Sequence, residues 1–158
     1  MVTKEQIWQW LESVSDPEVP VLSILDLGIV RDVNVSDAQR AEIKITPTYS
    51  SCPAMGAISL AIKMELLSRG LREVLVTEVL SPAWTTDWMT EAGKQKLSAY
   101  GITPPQYRSD AQPIEHVVPC PLCQSTDTRL ISQFGSTSCK ALYQCRNCLE
   151  PFDYFKCH

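Results

Sequence analysis

Two short pairs, Cys120-Pro-Leu-Cys123 and Cys145-Arg-Asn-Cys148, constrain this chain more than any other feature. Each pair has the two-residue spacing that lets both sulfurs of a tight turn point at one ion. The 21 residues between the pairs give enough chain to bring the second turn back onto the first. Four thiolates from two such turns close a tetrahedron around zinc, and this spacing lies close to that of zinc ribbons. The expected cofactor is therefore a structural zinc held by Cys120, Cys123, Cys145 and Cys148. A rubredoxin-like iron site needs the same four sulfurs, and spacing does not separate the two metals. The intervening TRLISQFGSTSCKALYQ is β-prone on both sides of Gly135 and reads as the ribbon hairpin. Knuckles favour glycine after the second cysteine, where the backbone takes positive φ; here Gln124 and Leu149 stand there. Cys139 and Cys157 read as bystanders, as do His116 and His158.

A module as short as residues 120–158 has little core of its own, so the rest of the 158 residues must supply an ordinary domain. Thr3 and Gln6 form a capping-box pattern, and Ile7, Trp10, Leu11 and Val14 recur at helical spacing after it. SDPEVPVLSILDLG interrupts with prolines and acids. VRDVNVSD and AEIKIT alternate as strands and read as a hairpin. Pro53 suits a first helical turn, AMGAISLAIKMELLSRG is helical and apolar on most faces, and Gly70 closes it. EVLVTEVL is a third strand, and TDWMTEAGKQKLSAYG a third helix stopped by Gly101. The order α-β-β-α-β-α predicts an α/β (α+β) domain over 1–101, with a small three-stranded mixed sheet containing one parallel pair. A Pro-rich linker is expected over 102–119, then the zinc-ribbon module over 120–158.

Charge narrows the partners. Residues 1–100 carry 13 acidic against 9 basic side chains, and the remainder 5 of each, so no basic block offers a footprint for nucleic acid. Lys4, Glu5 and Glu12 break any signal-peptide pattern, and Lys63 and Glu65 interrupt the most apolar window. A cytoplasmic protein without a membrane span is expected, where cysteines serve as thiols or metal ligands.

The seventh cysteine, Cys52, stands apart from the others, just before Pro53. At a helix start the dipole and free amides favour a thiolate. It also follows the strand AEIKIT at a strand-to-helix turn, the usual place for ligands in open sheets. Asp16, Glu18 and Asp26 lie in the irregular segment after the first helix and could approach that turn; loop acids are also commonly solvated. A thiolate, hydroxyl and carboxylate set could coordinate iron. No histidine lies within 1–101, so a Cys–His nucleophile lacks its base.

SDPEVPVLSILDLGIVRDV followed by ITPTYSSCPAMG resembles the small iron–sulfur-assembly domain of SufT-like and cytosolic cluster-targeting proteins. The pattern falls on Asp16-Pro17-Glu18, on Asp26-Leu27-Gly28, and on Thr46, Thr48, Cys52 and Pro53, within roughly residues 3–101. The resemblance implies that Cys52 handles iron or a cluster, with Asp16, Glu18, Asp26, Thr46 and Thr48 around it. SPAWTTDWMTEAGKQKL, FGSTSCKALYQC and CLEPFDYFK further resemble the D-component family encoded with the phenylacetyl-CoA epoxidase of aerobic phenylacetate degradation. That resemblance implies a non-catalytic maturation factor. Its clients would be the di-iron oxygenase or the flavin and [2Fe–2S] reductase component of that system. The alternative is a stoichiometric structural or electron-coupling subunit. The chain has no Glu-x-x-His motif for a di-iron site and no Gly-rich dinucleotide fingerprint, which agrees with an accessory role. Phe152, Tyr154 and Phe155 form either the ribbon's small core, the favoured reading, or an exposed client-docking run.

Overall fold

The computed structural model describes residues 1–49, 53–106, 108 and 117–156. The chain divides into two compact units. One holds Met1–Trp84 with Trp88–Thr90; the other holds Thr85–Asp87 with Glu91–His158.

In the first unit, α1 (Lys4–Leu11) opens with the expected capping box: the Gln6 amide donates to the Thr3 hydroxyl, and the Thr3 amide to the Gln6 side chain. The helix stops short of Val14. The amides of Glu12, Ser13 and Val14 each bond a carbonyl three residues back, which tightens the last turn. Val14 remains buried, so the apolar spacing outlasts the helix. Strands β1 (Val30–Val35) and β2 (Arg40–Ile45) pair antiparallel, as the alternation predicts. α2 (Ala54–Ser68) follows, with Pro53 at its N-cap and Gly70 at φ +103° beyond its end. It leads to β3 (Glu73–Glu78), which runs parallel to β2, giving the expected sheet order β1-β2-β3.

The core of this unit comes from one face of each element. Val33, Ile43 and Ile45 on the sheet are buried, as are Ile7 and Leu11 of α1 and Ile58, Ile62 and Leu66 of α2. Residues 12–29 wrap without regular structure but bury Leu22, Ile24, Leu27 and Ile29.

The second unit contains α3 (Glu91–Tyr100), preceded by a single 3-10 turn at Thr86–Trp88 rather than by one continuous helix. Its sheet has the order β4-β7-β6-β5, built from β4 (Ile102–Thr103), β5 (Thr128–Ser132), β6 (Lys140–Cys145) and β7 (Pro151–Phe155). β5 and β6 are the expected hairpin; β7 and β4 extend it. This division differs from the boundary expected at residue 101. β4 pairs with β7 in parallel, and the Thr103 hydroxyl donates to the Pro119 carbonyl at 2.7 Å, so the start of the expected linker is part of the ribbon sheet. α3 falls in the same unit.

Phe152, Tyr154 and Phe155 are at most 5% exposed. Phe152 and Tyr154 join the ribbon's core cluster, Phe155 is buried on the opposite face of the strand, and the burial of all three leaves no exposed aromatic run for docking. Among the described residues no helix is long and apolar enough to cross a membrane.

Candidate functional site

The two cysteine pairs form matching turns. In the first, the Cys120 amide donates to the Ser125 carbonyl; in the second, the Cys145 amide donates to the Glu150 carbonyl. The residues after the second cysteines, Gln124 and Leu149, take φ +64° and +67°. Both knuckles therefore adopt the left-handed turn without glycine, against a conformational preference of ~1–2 kcal/mol.

All four sulfurs lie within 4.8 Å of one another. Cys120 and Cys148 Sγ are 3.7 Å apart, and Cys123 and Cys145 Sγ 3.5 Å. A tetrahedron with metal–sulfur bonds of ~2.3 Å has edges of about 3.8 Å, so the cluster matches a four-sulfur metal site. The amide of Cys148 donates to Cys145 Sγ at 3.4 Å, and Asn147 Nδ2 to Cys123 Sγ at 3.8 Å. The Ser125 amide holds the Cys123 thiol at about 6, with help from Cys145 and Asn147. At Cys148 the Glu150 amide favours the thiolate, yet burial and the neighbouring sulfurs push the thiol up to about 12. Negative charge can settle on one sulfur but is resisted on the next, a conflict that a bound dication relieves.

The metal site and the ribbon core are one object. Cys120 and Cys145 are buried in a cluster with Val118, Phe152 and Tyr154, and Tyr143 and Cys148 pack against it. Tyr143 stacks on Phe152 and meets Tyr154 edge-on. Cys139 is buried outside the four-sulfur cluster, with its sulfur 2.9 Å from the Thr137 hydroxyl. His116, Cys157 and His158 lie outside the described residues.

The second candidate site is the turn after β2. Cys52 itself lies outside the described residues. Around it in sequence, the structure brings Glu18 to the turn: the Tyr49 hydroxyl donates to Glu18 Oε1 at 3.2 Å. Asp16 and Asp26 are buried and brace loops. Asp16 Oδ1 accepts the amides of Glu18 and Val19, at 2.7 and 3.1 Å. Asp26 Oδ2 accepts the Ser23 amide at 3.0 Å, while the Asp26 amide donates back to the Ser23 hydroxyl. Thr90 donates to Asp26 from both its amide and its hydroxyl. The acids of the DPE and DLG segments thus have firm local duties. Tyr49 sits inside the TPTYSSCP stretch with no pattern of its own to mark it; only the fold gives its hydroxyl a partner.

Thr46 and Thr48 line a cavity of about 120 Å³ with Pro47, Tyr49, Leu80, Ala83 and Trp84. Thr46 is 1% exposed, and its hydroxyl has no hydrogen-bond partner among the described residues. A buried hydroxyl left unpaired costs ~1–3 kcal/mol, so a chain selected for stability alone gains from valine here. Thr46→Val is expected to stabilise the first unit by about 1 kcal/mol in urea unfolding. Destabilisation of that size would instead show that the hydroxyl is bonded in solution.

A small mixed-sheet domain is thus followed by a ribbon that gathers four cysteines into one metal-sized cluster. The family pattern "PaaD zinc beta ribbon domain" matches residues 104–156, and "Iron-sulfur cluster assembly protein" matches residues 4–80. A protein of Escherichia coli (strain K12), described as the D component of a candidate 1,2-phenylacetyl-CoA epoxidase, is 50% identical over 155 residues, 96% of this chain and 92% of its own. The Fe-S protein maturation auxiliary factor YitW of Bacillus subtilis is 38% identical over 60% of this chain and 92% of its own. SufT of Staphylococcus aureus, also called an Fe-S protein maturation auxiliary factor, is 34% identical over 53% and 96%. Among solved structures, a domain of unknown function from Bacillus anthracis aligns with TM-score 0.57 and 31% identity, covering 60% of this chain and 90% of its own. The chain belongs to the PaaD family, the D components of the phenylacetyl-CoA epoxidase system.

Proposed function

We propose that this protein is a non-catalytic maturation factor for iron or iron–sulfur centres of the phenylacetyl-CoA epoxidase system. The observation that carries this reading is the pairing in one chain of an iron–sulfur-cluster-assembly domain, residues 4–80, with a PaaD ribbon, residues 104–156. Relatives that share the first domain are named auxiliary factors of Fe-S protein maturation. In this reading Cys52 is the thiol that receives or guides the metal. Glu18, Thr46 and Thr48 shape its surroundings, and Asp16 and Asp26 hold the loops that present them. The clients are the di-iron oxygenase and the flavin and [2Fe–2S] reductase components. Zinc occupies the four-cysteine site as a structural ion; sulfur at all four positions leaves no open coordination place for chemistry, which supports that assignment.

The test expresses each client with wild-type protein, with Cys52→Ala or with none, followed by anaerobic purification and assay of iron, sulfide and activity. Wild type alone is expected to restore the metal content of one client, while the Cys52→Ala protein folds normally and restores little. Equal metal in all three preparations defeats the proposal. If activity still required this protein then, a stoichiometric role in the complex would follow. Metal analysis of the purified protein should return one zinc per chain; iron and colour would point to electron coupling instead.

A further inference from the structure

α2 carries an apolar seam on the side turned away from the core. Ile58, Ile62 and Leu66 are buried, as the core requires. On the opposite side, Pro53, Ala57, Leu60, Met64 and Leu67 are all exposed. Their spacing alternates four and three residues, the a/d repeat by which one helix packs along another at a shallow angle. Leu60 is 58% exposed, Met64 63% and Leu67 45%. A helix that is apolar all round is ordinarily covered on all sides. No charged side chain falls within this seam, although Lys63 and Glu65 stand close by on the same helix.

The size of the seam decides between occupants. The three large side chains together leave roughly 350 Å² uncovered, within the ~300–600 Å² of the largest patch on a typical monomer. Even with exposed Pro53 and Ala57 added, the seam stays well short of the ~800 Å² per partner that a stable interface buries. A permanent dimer of this chain is therefore poorly served by the seam, whereas a partner that docks and leaves is well served. Met64 at the centre suits such use, because its unbranched side chain repacks against different surfaces. The seam also starts at Pro53, directly after Cys52 in the chain.

We propose that the exposed seam of α2 is the docking surface for the client, and that it takes the apolar face of a helix on the metalloprotein being matured. This rests on the maturation role proposed above and supplies its missing partner surface. Docking along α2 brings the client to the helix whose start follows the metal-handling thiol.

The test uses the full chain carrying Leu60→Glu with Met64→Glu. Both positions are exposed and glutamate is a good helix former, so thermal stability should stay near wild type. Binding is measured by calorimetry to the metal-free oxygenase component and, separately, to the reductase component of a phenylacetyl-CoA epoxidase. Loss of at least about tenfold in affinity for one component is expected, the scale on which buried apolar anchors act. Phe134→Ser, which removes an equally exposed ring from the second unit, should leave affinity within about twofold. Equal affinity of the double variant and wild type overturns the proposal, as does binding of neither component by wild type. A dimer of the wild-type chain in light scattering that the double substitution abolishes also overturns it, by making a second copy the occupant. Cys52→Ala separates this inference from the function proposed above: affinity should be retained while client metal falls. Retained affinity in the double variant together with lost metal in Cys52→Ala would leave maturation standing and remove only the docking surface.

Discussion

Removing the metal from the four-cysteine site, by a chelator under reducing conditions or by Cys145→Ser, is expected to unfold the ribbon. Cys120 and Cys145 are fully buried members of the cluster that also holds Val118, Phe152 and Tyr154. Loss of the ion therefore leaves two bare sulfurs, Cys120 and Cys145, inside the apolar cluster to which β6 and β7 contribute Tyr143, Phe152 and Tyr154. Structural zinc contributes ~10–16 kcal/mol in small domains of this kind, more than the few aromatic contacts present can replace. Hydrogen exchange should show amides of β6 and β7 losing protection, while α1, α2 and β2 keep theirs because their core contains no ligand. Acid should act in the same direction, since the thiolate is the ligand and the metal leaves as protons compete for sulfur. Unchanged protection of β6 after stoichiometric metal release would falsify the structural role.

The second large effect is expected at Gly28, in the DLG segment. Its φ of +73° lies in the left-handed region, and an added Cβ would sit 2.5 Å from the Trp88 carbonyl oxygen and 2.8 Å from Trp88 Cβ. Neither neighbour is the flexible end of a side chain. The segment is also clamped: Trp84 Nε1 donates to the Leu27 carbonyl at 2.8 Å, and the Thr90 amide to the Asp26 carbonyl at 2.9 Å. Gly28→Ala then costs ~1–2 kcal/mol for conformation and ~1–3 for overpacking. A loss of about 3 kcal/mol in urea unfolding is expected, followed by tryptophan fluorescence. Gly56→Ala is the matched control. Nothing lies within 4 Å of its added Cβ, and it sits inside α2, so no loss or a gain of up to ~1 kcal/mol is expected. Equal effects at the two glycines would mean that the Trp88 contact does not constrain the loop.

These two results bear on how the site is built. Gly28 permits Trp88 to lie against the loop that contains Asp16 and Asp26, with Trp84 and Thr90 bonded to the same loop. Trp84 also lines the cavity beside Thr46. One wall of the cavity beside Thr46 is thus tied to a loop whose packing depends on a glycine.

Much of this was legible from residue order. Metal-ligand spacing, the capping box at Thr3 and Gln6, the alternation of β1 and β2, and the glycine stop after α2 are all local, so their neighbours in sequence determine them. Other features needed the folded chain. Acids in a loop look solvated until the fold shows Asp16 and Asp26 accepting buried amides. Phe152, Tyr154 and Phe155 could serve as core or as contact surface until the fold buries all three, Phe152 and Tyr154 in the ribbon's core cluster. β4 has two residues and no pattern, and it exists only because β7 offers it an edge. Conversely, α2 reads as apolar on most faces, yet its Leu60–Met64–Leu67 seam stays open. The sequence by itself determined the four-cysteine cluster, the two hairpins, the cap that opens α1 and the glycine stop after α2, because each follows from chemistry within a few residues. Which apolar surface is covered, which carboxylates serve the fold, and that the Thr46 hydroxyl is buried with no partner among the described residues were decided only by tertiary structure, because those depend on groups brought from far along the chain.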